Sequence, residues 1–98
     1  MPSFTTRVEL HQASYQDYER LHAVMERAGF SRYITSDKSV TYHLPTAEYD
    51  KSGSFTSAQI LNQAKAAANS TGRKNGVLVT ESNGRTWDGL DEVKGGNR

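Results

Sequence analysis

Arg7, Glu9 and His11 recur at every second position of the segment 4–11, and Thr41 and His43 do so within 39–44. Side chains two apart on an extended strand share a face, so each set stands on one side of its strand. An imidazole with an ordinary pKa of ~6.5 both accepts and gives up protons near neutrality. Two imidazoles beside an arginine suit metal-independent RNA cleavage. One takes the 2′-hydroxyl proton and the other protonates the leaving oxygen, while the guanidinium stabilises charge on phosphorus. Arg7, His11 and His43 are the catalytic candidates in this scheme. Tyr33 offers a ring on which a base could stack, with the Thr35 and Thr41 hydroxyls beside it. An ordinary solvated sheet face carries the same residue types, so geometry has to decide. Facing or diagonal neighbours on paired strands have Cβ atoms roughly 4.5–8 Å apart, and register sets whether Arg7 or His11 meets His43.

The elements that must position these groups follow from hydrophobic period. Phe4, Thr6, Val8 and Leu10 alternate with Thr5, Arg7, Glu9 and His11, the pattern of a half-buried antiparallel strand. Ser14 with Asp17 opens a helix as an acidic capping box, with Ala13 set to pack on Tyr18. Tyr18, Leu21, Val24, Met25 and Ala28 form its buried stripe, and Gly29 ends it. His22 at the stripe edge reads as a packing residue. Residues 30–36 and 39–44 predict a hairpin around Ser36-Asp37-Lys38, closed by Pro45. Ile34 and Tyr42 are assigned to the inner face and Tyr33 and Thr35 to the outer. The polar stretch 46–54 reads as a loop. Thr56 with Gln59, and Phe55 with Ile60, start a second helix whose stripe is Ile60, Leu61, Ala64, Ala67 and Ala68. Segment 77–81 predicts a last long strand, Asn83-Gly84 a tight turn, and 85–87 a short fifth strand with Trp87 and Leu90 as apolar contacts.

Strand, helix, strand, strand, helix, strand is the split βαβ pattern of an α+β, ferredoxin-like sandwich. Right-handed crossovers place two helices on one face of a four-stranded antiparallel sheet, with the first and third strands central. One domain over 1–94 is expected, with a disordered tail at 95–98.

Composition narrows the function. The chain has 98 residues, no Cys, 12 Lys+Arg and 11 Asp+Glu. Thiolate metal sites, disulfides and cysteine nucleophiles are excluded. Charge is even along the chain, so no basic arm or stripe supports tight, sequence-blind polyanion binding. No cofactor fingerprint and no clustered metal-ligand spacing occurs, so no cofactor and no metal are expected. Nothing approaches a membrane span, and a cytoplasmic protein is expected.

The blocks Phe4-Thr5-Thr6-Arg7-Val8-Glu9-Leu10-His11, Ser39-Val40-Thr41-Tyr42-His43-Leu44-Pro45-Thr46-Ala47-Glu48-Tyr49 and Val77-Leu78-Val79-Thr80-Glu81-Ser82 resemble small bacterial and phage proteins of the GhoS-like antitoxin group. The resemblance runs over most of residues 4–90. It implies a ferredoxin-like fold and an endoribonuclease that cuts messenger RNA within a toxin–antitoxin system. Arg7, Arg27 and Arg32 are the arginines near the first strand and helix that could take the family's catalytic role, and Arg32 joins Tyr33 and Thr41 of the open face as an RNA-binding candidate. Weak, transient contact with messenger RNA, such as a toxin-encoding transcript, is the expected partnership. The alternative is a non-catalytic interaction module of phage or mobile-element origin that docks on a host protein, and a homodimer is compatible with either.

Overall fold

A computed structural model describes residues 2–93; the expected tail at 95–98 lies outside them. At its centre is β1 (Ser3–Leu10), flanked on both sides by antiparallel strands. On one edge lies β5 (Asn75–Ser82), with Arg7 opposite Leu78. On the other lies β4 (Glu48–Ser52), with Arg7 opposite Glu48. The helices α1 (Tyr15–Arg27) and α2 (Ser57–Asn69) supply the apolar residues that cover one face. A separate two-stranded unit pairs β2 (Tyr33–Thr35) with β3 (Thr41–His43).

The chain is therefore α+β with two helices, and its antiparallel strands divide into sheets of three and two. This corrects the single four-stranded sheet. Segment 39–44 does not lie beside β1, because 48–52 takes that place. The stretch expected to be a loop is thus a sheet strand. Its sequence hides the alternation because Lys51 occupies an inward position. The Lys51 stem packs beside two rings, with Nζ 5.0 Å from the Phe30 centroid and 4.9 Å from Phe55. Its ammonium donates to the Ala28 carbonyl and Gln63 Oε1, both at 2.7 Å. An inward lysine is stable here because its charge meets a helix C-terminus, where carbonyls lack partners.

Most of the expected core forms. Phe4, Thr6, Val8 and Leu10 are buried while Arg7 and Glu9 are exposed. Leu21, Met25, Ile60, Ala64 and Ala68 close the core from the helices, with Phe30 and Tyr49 between. Leu61 stands out of the second stripe and is exposed. Both capping boxes form, Ser14 with Asp17 and Thr56 with Gln59. Asp17 also reaches Arg73 at 2.9 Å and Arg20 at 3.3 Å, tying the start of α1 to the turn before β5. At Gly53 (φ +148°) a Cβ would come within 2.7 Å of the Phe55 ring, so this turn into α2 requires glycine.

No strand forms at 85–87. After β5 the chain instead turns back, and Glu92 bridges to Tyr42. The His43 N–H donates to Asp91 O and the Val93 N–H to Thr41 O, each at 2.8 Å. Segment 91–93 thereby shields the outer edge of β3.

Candidate nucleic-acid interface

The hairpin brings three of the candidates together. Tyr33 lies directly opposite His43, and their rings meet edge-on with centroids 5.2 Å apart. One step along, the Thr35 and Thr41 hydroxyls share a hydrogen bond of 2.9 Å. Alternation explains why these groups face outward: Ile34 is buried, and Tyr42 packs edge-on against Trp87 with centroids 5.5 Å apart. Tyr42 thus turns toward Trp87, where the sequence pointed it at the helices. Arg32 is half-buried and precedes the hairpin, its carbonyl accepting from the Leu44 N–H at 2.8 Å.

Arg7 and His11 belong to another place. Because β1 pairs with β4 and β5, the neighbour of Arg7 is Glu48, at 3.8 Å. His11 lies just past β1 with Nε2 3.7 Å from Glu9. Its surroundings are Gln12, Gly72, Arg73 and Lys74, which line a recess of about 490 Å³. Among the described residues, no hydrogen bond, ion pair or ring contact joins Arg7 or His11 to His43. The two-imidazole pairing depended on β1 lying beside 39–44, and that neighbourhood does not exist.

The sheet face away from the helices is also less open than alternation suggested. Arg85 lies across it, donating from Nη2 to Asp50 Oδ1 at 2.6 Å and from Nε to Thr5 Oγ1 at 2.9 Å. Ser3 and Ser52 hydroxyls are joined at 2.9 Å. Between this end of the sheet and the hairpin runs a cleft of about 570 Å³. Ile34, Tyr42 and Trp87 give it an apolar wall, and Asp37, Lys38 and Arg85 give it charges of both signs. Sequence reading missed Arg85 because its partners lie 80 and 35 residues away. The single tryptophan was the one local signal for this region.

A third cluster is internal. His22 Nδ1 and the Tyr49 hydroxyl share a buried hydrogen bond of 2.7 Å. Burial, and secondarily the positive charge of Arg32, hold the His22 pKa below its ordinary value. Burial likewise pushes the Tyr49 hydroxyl well above its own. The pair is therefore neutral near pH 7 and serves packing, as the position of His22 at the stripe edge implied. Thr6 Oγ1, on the strand paired with Tyr49, is buried without a partner among the described residues. Among the described residues no three His, Cys, Asp or Glu side chains converge as a metal site, and no helix is long and apolar enough to cross a membrane.

No protein-family model matches this chain, and no curated protein matches it either.

Proposed function

We propose that this protein binds single-stranded messenger RNA on the outer face of the β2–β3 hairpin and cuts it there. The observation that carries the reading is the exposed contact of Tyr33 with His43. It sets a ring for base stacking beside an imidazole for proton transfer. Thr35 and Thr41 add hydroxyls. His43 takes the 2′-hydroxyl proton as that oxygen attacks phosphorus. A 2′,3′-cyclic phosphate forms and the 5′-oxygen leaves with a proton from water. Water replaces His11 in this scheme because His11 sits beside Glu9. With so few cations, binding is weak and only shallowly dependent on salt.

A toxin-encoding transcript as substrate rests on the GhoS-like sequence blocks. The same reading supplies a ferredoxin-like description of the fold. Taking β4 as the third strand and the Ser31–Asp50 bridge as the remnant of the second leaves the hairpin as an insertion between them. The second reading, a non-catalytic interaction module, is favoured by one feature: Arg85 occupies the sheet face where RNA was first expected.

A labelled single-stranded RNA, with and without magnesium, tests the proposal. Tyr33→Ala should weaken binding about 5- to 150-fold, the range of one base–aromatic stack. His43→Ala should keep binding but slow cleavage by about 10²- to 10⁴-fold, and His11→Ala should change neither. RNA bound but never cut would leave only the binding half standing. No binding at low salt would sink the whole proposal and leave the interaction module.

A further inference from the structure

The outer edge of β5 carries a second, independent inference. In an extended strand the N–H and C=O of one residue point to the same side. The Val8 N–H donates to Ala47 O and the His11 N–H to Lys74 O. Even-numbered residues of β1 therefore turn to β4 and odd-numbered ones to β5. Through the register Glu9–Gly76, Arg7–Leu78 and Thr5–Thr80, those β5 residues face β1. Val77, Val79 and Glu81 then direct their backbone groups outward. Among the described residues no strand lies on that side. Lys65 Nζ caps the first outward carbonyl, that of Asn75, at 3.0 Å.

An eight-residue edge without proline, lysine or bulge is a template for another strand. The other end of the sheet is not open in this way, since Ser31 bridges to Asp50 outside β4. On β5, Leu78 is 64% exposed on the sheet face away from the helices. Val77 and Val79 are only partly buried on the helix side.

We propose that β5 pairs antiparallel with β5 of a second copy of this chain, about a two-fold axis at Leu78, to make one continuous six-stranded sheet. This axis sets Leu78 against its own copy in a close, non-hydrogen-bonded pair, with Cα atoms about 4.5 Å apart. Val77 and Val79 exchange backbone hydrogen bonds across it, four in all by symmetry. Thr80 of each copy falls opposite Gly76 of the other, where the space above the glycine is empty. Glu81 falls opposite Asn75, whose Oδ1 holds Lys65 Nζ at 2.6 Å. Each end of the junction therefore gains an ion pair, Glu81 with the second copy's Lys65. An axis one residue later would instead oppose Val77 to Glu81, leaving the carboxylate against an apolar side chain. Charge complementarity thus selects both the occupant and the register.

Light scattering across a concentration series tests this. The wild-type chain should give twice its 10.9 kDa. Leu78→Lys and Leu78→Glu should each weaken the dimer about tenfold or more, because like charges then face each other across the axis. At concentrations low enough for every chain to be monomeric, melting curves should match wild type, since Leu78 is exposed. Mixing the two variants in equal amounts should restore the dimer. Val79→Pro, which removes an outward N–H at an edge, should also give monomer. A wild-type chain still monomeric at about 1 mM, which limits binding to roughly −4 kcal/mol, would overturn the proposal. So would a dimer indifferent to Leu78→Lys. Failure of the mixed variants to pair would refute the axis at Leu78. RNA binding at the hairpin is not expected to change in any of these variants.

Discussion

The helix-covered sheet and the β2–β3 hairpin solve opposite problems. In the first, Phe4, Val8 and Leu10 lie under the helices, and the outer face is closed by pairs within the chain: Arg85 with Asp50, Arg85 with Thr5, Ser3 with Ser52. In the second, three-residue strands carry only Ile34 and Tyr42 inward, against one tryptophan, and rely on segment 91–93 to cover the outer edge of β3. Its outer side chains are left unspent. Stability is concentrated in one region and chemical freedom in the other, which is how local opening energies usually divide between scaffold and site.

The contrast can be broken most severely at Phe4. Phe4→Ala removes a fully buried ring from the middle of the core and should cost about 3–5 kcal/mol, measured by denaturant unfolding. Loss of the hairpin and the sheet together would show that both depend on this core. Trp87→Ala should cost less, about 1–2 kcal/mol, because an edge-on aromatic pair and its partial burial are all that is removed. Its effect should be local. Amide exchange should rise across residues 33–43 while β1 amides keep their protection; uniform loss would mean the two regions are one cooperative unit.

The gentlest probe is pH. His22 has a lowered pKa in the native state, chiefly through burial, so the unfolded chain takes up its proton first, near ~6.5. Stability is full above that value and falls as pH drops below it. Asp17 is also held low, mainly by the Ser14 backbone N–H, so its contribution persists until pH falls below ~3.8. The urea midpoint should therefore decline between pH 7 and 5. His22→Gln should flatten the decline, and an unchanged slope would remove His22 as its source.

Local signals served well where neighbours in sequence are also neighbours in space. Ser14–Asp17 and Thr56–Gln59 close over three residues, and Tyr33 with His43 faces across a short turn. Long-range pairing was another matter. The alternation in 39–44 is real, yet it serves a hairpin of its own. The strand that does join β1 reads as polar because Glu48, Asp50 and Lys51 all find partners in distant segments.

By itself, the sequence determined the two helices with their caps, the inward face of β1, the hairpin, and which of its side chains point outward. These follow from periods of 3.6 and 2 and from hydrogen bonds spanning a few residues. Tertiary structure alone decided which strand lies beside β1, and hence that Arg7 meets Glu48 and that His43 sits apart from both Arg7 and His11. Alternation marks a strand's faces and leaves its partner open. The choice fell to the segment whose inward Tyr49 and Lys51 could be satisfied beneath the helices, by His22 and by the carbonyl end of α1.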